Sequence, residues 1–184
     1  ASAATTDVNG TWTIIPNAGD NTTSVGYTFH ELLPGESRST SGTTHDVKGE
    51  VTVDGGTLTA GNVTVDVNGL QTDVEKRDIN VRRTILHTDD YPTATFTVST
   101  PVDITGVPDN GEPGTVTVTG MLNLHGVEKE VTAEFDVLRT GNRLVIAGTV
   151  PINRIDFGVE TPDFVAAKVD EDGELNIRLA MEKH

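Results

Sequence analysis

The side chains best suited to acid–base or metal chemistry are the histidines, of which the sequence has five. No two of them have the HxH or HExxH spacing of a metal site, and four lie in separate segments: His30, His45, His87 and His125. His125 stands between two apolar stripes, which predicts a hairpin end over residues 126–129 with His125 at its rim. We therefore expect structural or surface roles for these histidines.

Acidic residues are the second source of chemistry, because Asp and Glu together number 28. The densest run, DEDGE at residues 170–174, resembles half of a calcium-binding loop. Two positions that an EF-hand needs as acids hold Lys168 and Leu179, so the run predicts a hairpin turn before the last strand. Cysteine, a GxSxG nucleophile and a phosphate-binding loop are missing from the sequence. We therefore predict no catalytic residue, metal or cofactor. An enzyme that uses His125 or His45 is kept as an alternative hypothesis.

The balance of charge limits the class of partner. Lys and Arg number 13, which gives a formal net charge of −15 and disfavours nucleic acid, whose phosphates would be repelled. No stretch is long and apolar enough to span a membrane. The small polar start, ASAATTDVNG, resembles what remains after an export signal is cleaved. We expect a protein exported to the periplasm, the cell surface or the medium, with a flexible segment over residues 1–9.

Apolar and polar residues alternate from end to end, which predicts antiparallel strands with one apolar face and one solvent-exposed face. Turn signals such as DGG at 54–56 and TGN at 140–142 separate about eight such segments. The pattern predicts one all-β domain over residues 1–184, folded as a barrel or a sandwich. Residues 72–92 break the alternation, and helical spacing there predicts one short helix near residues 73–83.

Three segments in order resemble the YceI-like family of bacterial lipid-binding proteins. They are RDINVRRTILHTDDYPTATF at 77–96, GMLNLHGVEKEVT at 120–132 and INRIDFGV at 152–159. In the first segment, Asn80 and Val81 replace the residues that the family usually has. The matching positions of that segment are Arg77, Asp78, Tyr91, Pro92, Ala94 and Phe96.

This resemblance implies an elongated, lipocalin-like antiparallel barrel, exported from the cytoplasm and without catalytic residues. It also implies binding of a long isoprenoid, such as a quinone tail or a polyprenyl lipid, inside the barrel. The isoprenoid follows from the resemblance alone, whereas the alternation supports the barrel independently.

Two interpretations of the interior stay open, a ligand cavity and a filled core. Small inward residues such as Val, Gly and Ala leave room for a ligand, but they also suit a filled core in an extracellular structural or adhesion module. A homodimer is possible in either case. Arg77, Arg82 and Arg83 form the densest cationic group and are the predicted partners of a lipid head group. The predicted cavity lining is Val25, Tyr27, Phe29, Val65, Phe96, Val118, Leu122, Phe135, Ile146 and Leu179.

Overall fold

Threonine and valine favour extended backbone, because branching at Cβ suits a pleated surface. The computed structural model describes residues 3–18, 21–33, 36–67, 93–158 and 168–183, and most of them lie in strands. The strands are β1 (Gly10–Ile15), β2 (Asn17–Ala18), β3 (Asn21–Thr22), β4 (Ser24–Leu33), β5 (Glu36–Thr44), β6 (Val47–Asp54), β7 (Thr57–Asp66), β8 (Thr93–Val98), β9 (Val102–Asp103), β10 (Gly114–Leu124), β11 (Val127–Thr140), β12 (Arg143–Asn153) and β13 (Lys168–Lys183), with a 3₁₀ turn at Arg154–Phe157.

Eight strands form a closed ring in which each strand pairs antiparallel with both of its neighbours. The ring runs β1, β6, β7, β8, β10, β11, β12, β13, and it closes where Trp12 of β1 pairs with Lys183 of β13. β4 and β5 extend the sheet from β13, and β9 pairs with β7. The predicted antiparallel barrel of about eight strands is confirmed. The short helix predicted near residues 73–83 lies outside the described residues.

Two long walls of the barrel are each built from a pair of successive strands. β13 pairs with β1 at residues 180–183 and with β4 at residues 168–178, so β1 and β4 lie one after the other along it. Between β1 and β4 the chain leaves the ring to form the small β2–β3 hairpin. β5 and β6 also follow one another, separated only by residues 45–46.

Thr23 bridges the interruption between β1 and β4, which we call the β1–β4 break. Its hydroxyl donates to the Ile15 carbonyl at 2.6 Å and accepts a hydrogen bond from the Ala180 amide at 3.0 Å. Only 2% of Thr23 is exposed, so it satisfies two main-chain groups where water does not reach. The His45 ring Nδ1 lies 3.0 Å from the Thr23 carbonyl and donates to it, because a carbonyl oxygen can only accept. This bond ties the β5–β6 break to the β1–β4 break.

The chain before β1 is held against the barrel by main-chain and side-chain contacts. Ala4 forms a parallel bridge with Gly141, in the turn between β11 and β12. The Lys183 ammonium donates to the Asp7 carbonyl at 2.7 Å. These contacts place Ala4 and Asp7 against the barrel, and the flexibility predicted for residues 1–9 stays a prediction.

The interior contains two groups of buried apolar side chains, one towards each end of the barrel. The Phe157 cluster lies by the β10–β11 connection, and the Trp12 cluster includes the end where β1 meets β13. The Phe157 cluster is Phe29, Leu122, Ala133, Phe135, Val150, Ile152 and Phe157. The Trp12 cluster is Trp12, Val47, Val51, Val53, Leu58, Val65, Val67, Ala94, Val102, Ile104, Val107, Val137, Leu144, Leu179 and Met181.

The acidic run at residues 170–174 lies inside β13, so the predicted hairpin turn there is wrong. Gly173 pairs with Ile152 of β12 without interruption, while the register of β13 against β4 shifts between Val169 and Gly173. A bulge of this kind lets a polar run stay within a strand, because the extra residues are left unpaired on one side only. A run of polar residues is also typical of a turn, which is why the sequence pattern predicted one here.

Candidate functional site

Several inward-facing side chains of the barrel keep some exposure to solvent. Six partly buried residues pack against both interior clusters. Inward-facing side chains with accessible surface border space that water can enter. We call this space the lumen and these six the lumen residues: Tyr27, Val116, Val118, Leu124, Ile146 and Ile177.

The ten residues predicted to line a cavity all belong to one of the two clusters or pack against one. The fully buried members are Phe29, Val65, Leu122, Phe135 and Leu179. The partly exposed members are Val25, Tyr27, Phe96, Val118 and Ile146. The structure thus brings all ten to the interior, but only Tyr27, Val118 and Ile146 are lumen residues.

Sequence reasoning missed the other three lumen residues. Val116 and Leu124 lie in β10, in the same alternating stripe as the predicted Val118. Ile177 lies in β13, two residues before the predicted Leu179. Their parity along each strand was a sufficient signal that they face inward, whereas their partial exposure depends on the curvature of the closed sheet.

The rim at one end is formed by the β10–β11 turn, which is shorter than predicted. Val127 to Lys129 belong to β11, so the turn is His125–Gly126 and not residues 126–129. His125 and Gly126 have φ of 56° and 76°, as a two-residue type I′ turn requires. The His125 ring Nδ1 donates to the Phe157 carbonyl at 3.2 Å.

The Phe157 side of that contact is a 3₁₀ turn encoded by the segment NRIDFG. The Asn153 side chain caps it by accepting from the Ile155 amide at 2.9 Å and the Asp156 amide at 3.3 Å. Gly158 ends it with φ of 68°, a conformation that glycine adopts without strain. Two of the three motifs noted in the sequence therefore meet at one rim, where His125 contacts Phe157.

Arg154 is a charged side chain that is buried, with 9% exposed. Sequence reasoning gave it no role, although it lies in the quoted segment 152–159. Arg77, Arg82 and Arg83, the predicted head-group partners, lie outside the described residues. The described part of the site is therefore its apolar interior and one rim.

In the described part of the chain, both histidines kept for an enzymatic role hydrogen-bond main-chain carbonyls. His45 donates to a main-chain carbonyl at the strand break, and His125 donates to another at the rim. Across residues 3–18, 21–33, 36–67, 93–158 and 168–183, no three His, Asp or Glu side chains are grouped so as to hold a metal. The same residues include no helix with the length and apolarity needed to cross a membrane.

Comparisons with known proteins agree with this architecture. A polyisoprenoid-binding domain from Saccharophagus degradans, described as implicated in plant cell wall breakdown, superposes with a TM-score of 0.72 at 19% identity, covering 94% of this chain and 98% of that one. Burkholderia cenocepacia BcnA gives 0.70 at 21% identity, with 86% and 95% covered. The Campylobacter jejuni YceI protein gives 0.59 at 19% identity, with 78% and 85% covered.

At these identities the solved structures establish the fold alone. A search of the curated proteins finds no match. The model of the YceI-like domain matches residues 12–181, which reach from β1 to β13 and include every strand of the closed ring. With the fold, the motifs and this match in agreement, the chain belongs to the YceI-like family.

Proposed function

We propose that this protein binds one long isoprenoid lipid, of the quinone or polyprenyl type, with its chain inside the lumen. The observation that carries the proposal is the partial exposure of the lumen residues. In a filled core, side chains packed against two buried clusters would be as buried as the clusters themselves. The Saccharophagus neighbour, described as a polyisoprenoid-binding domain, supports the same ligand class.

The chemistry of the wall suits an apolar chain. Lumen residues such as Val118, Ile146 and Ile177 offer hydrocarbon surface. Burial of each methylene contributes about 0.8 kcal/mol, so a few prenyl units outweigh the cost of ordering the chain. Such binding needs no directed polar contact along the chain, and selectivity then comes from the length and width of the lumen.

The head group would lie at the barrel mouth. Arg77, Arg82 and Arg83 remain its proposed partners, because a guanidinium donates well to phosphate or quinone oxygens. The proposed role is carriage or storage of lipid outside the cytoplasm. It involves no catalytic step and no cofactor.

Lipid extraction tests the proposal directly. The protein is expressed in bacteria, purified without detergent and extracted with organic solvent, and the extract is analysed by mass spectrometry. We expect a prenyl lipid in amounts approaching one per chain, and uptake of added quinone by stripped protein. A protein that carries no prenyl lipid and also refuses added quinone would contradict the proposal.

A further inference from the structure

Four aromatic rings of the interior each lie against a glycine on a neighbouring strand. An ideal Cβ built on each of these glycines would collide with the ring. In three cases the ring and the glycine are direct cross-strand partners, and Phe96 lies diagonal to its glycine. The pairs are Tyr27 with Gly42, Phe29 with Gly173, Phe96 with Gly120 and Phe135 with Gly148.

The backbone dihedral angles do not require glycine at these four positions. None of them is among the residues with positive φ, so any L-residue could adopt the same conformation. Glycine within a strand weakens it, because it costs backbone entropy and offers no side chain to pack. What these positions have in common is the aromatic ring that lies on them. The lack of a side chain on each glycine therefore provides space for that ring.

At the two pairs that involve β4, Tyr27 with Gly42 and Phe29 with Gly173, the atoms nearest to the added Cβ all belong to the aromatic side chain. The three atoms nearest to a Cβ on Gly173 all belong to the Phe29 ring, the third being Cγ at 2.7 Å. A Cβ on Gly42 would lie 2.7, 2.9 and 2.9 Å from three Tyr27 side-chain atoms. For Gly120 and Gly148 a main-chain carbonyl oxygen is also close, so a substitution there would disturb the sheet itself.

A ring displaced by a new Cβ must move away from the sheet, towards the barrel axis. Phe29 and Tyr27 are neighbours, with ring centroids 6.2 Å apart. Tyr27 is a lumen residue, whereas the sheet lies behind both rings. Lifting the Tyr27 ring off the wall therefore narrows the lumen directly. Lifting the Phe29 ring, which is buried in the Phe157 cluster, narrows the lumen by pressing on Tyr27.

We propose that Gly42 and Gly173 set the width of the lumen by letting the Tyr27 and Phe29 rings lie against the wall, and so admit a methyl-branched chain. An isoprenoid carries a methyl group on every fourth carbon and is wider than a straight alkyl chain of equal length. The two glycines are thus specificity-determining positions. This inference rests on the proposed function.

The test compares two probes on Gly173→Ala: a prenyl alcohol and a straight-chain alcohol with a backbone of equal length. Affinity for the prenyl probe should fall about tenfold, as expected for lost contact with roughly two methylenes. Affinity for the straight probe should change by less than about twofold. Gly173→Ala combined with Phe29→Leu should restore prenyl binding, because the smaller side chain need not enter the lumen.

Two further variants act as controls. Gly106→Ala places a Cβ where no atom lies within 4 Å and should leave both affinities unchanged. Gly42→Ala should reproduce the selective loss and serves if Gly173→Ala fails to fold, with thermal unfolding recorded for each variant. Equal loss of both probes, or no rescue by Phe29→Leu, would overturn the inference while leaving the proposed function intact. If the unmodified protein binds neither probe, both fail.

Discussion

At the scale of single residues, the position of Thr23 is tightly constrained, since one buried hydroxyl bonds main-chain groups of two strands. It donates to Ile15 of β1 and accepts from Ala180 of β13, where β13 exchanges one partner strand for the next. The β2–β3 hairpin can leave the ring here because this side chain replaces the hydrogen bonds of a continuous ladder. A hydroxyl is the smallest group that can donate and accept at once.

Replacement of Thr23 by valine removes both bonds and conserves volume. We expect the free energy of unfolding to fall by about 1–3 kcal/mol, the cost of leaving a buried donor or acceptor unsatisfied. Urea unfolding measures it. Thr22→Val is the matched control, since Thr22 is exposed and should change stability by less than about 0.5 kcal/mol. A Thr23→Val variant as stable as its control would show that the break needs no such bond.

At the scale of elements, the strands were predictable because period-two alternation is a local signal. β10 and β11 lie where their stripes place them, and Gly141 and Asn142 of the TGN signal form the turn from β11 into β12. The bulge in β13 was not predictable, because it depends on β4 and β12 pairing differently with the same residues. The β1–β4 break was hidden for a related reason: it is defined by a shared partner strand far along the sequence.

Substitutions of two valines, Val65 on β7 and Val118 on β10, distinguish a filled interior from an open one. Val65 is buried in the Trp12 cluster, so Val65→Phe should overpack it and lower the free energy of unfolding by about 1–3 kcal/mol. Val118 is a lumen residue, so Val118→Phe should cost less than about 1 kcal/mol and instead weaken ligand binding. Urea unfolding and a prenyl-binding assay on both variants measure these effects. Equal destabilisation without effect on ligand would favour the structural module.

For the whole molecule, closure of the ring is the feature that encloses an interior. The sequence predicted a barrel or a sandwich, and composition left a filled interior and a cavity both open. The pairing that closes the ring joins Trp12 to Lys183, and residues so far apart give no local sign of pairing. The partial exposure inside was equally hidden, because it depends on how widely the ring curves. The head-group partners Arg77, Arg82 and Arg83 stay a prediction from the sequence.

The two ends of the molecule also predict how the ligand is oriented. Trp12 is the one tryptophan of the sequence, is 1% exposed and donates to the Val8 carbonyl in the segment held against the barrel. We propose that the lipid chain enters tail first at the rim formed by His125 and Phe157, which brings its far end close to the Trp12 cluster. A prenyl probe brominated at its tail should therefore quench tryptophan fluorescence more than one brominated beside its head group. Equal quenching, or the reverse order, would contradict this orientation.

The pairing of β1 with β13 also has a consequence for how the protein is made. The ring joins residues 171 positions apart, from Trp12 to Lys183, so a ribosome must complete β13 before the barrel can close. Folding dominated by such distant contacts is slow, and the partly folded chain exposes apolar strand edges meanwhile. Until β13 pairs with β1 the apolar interior is an open trough, so a chaperone that shields these strand edges would have to act before the ring closes.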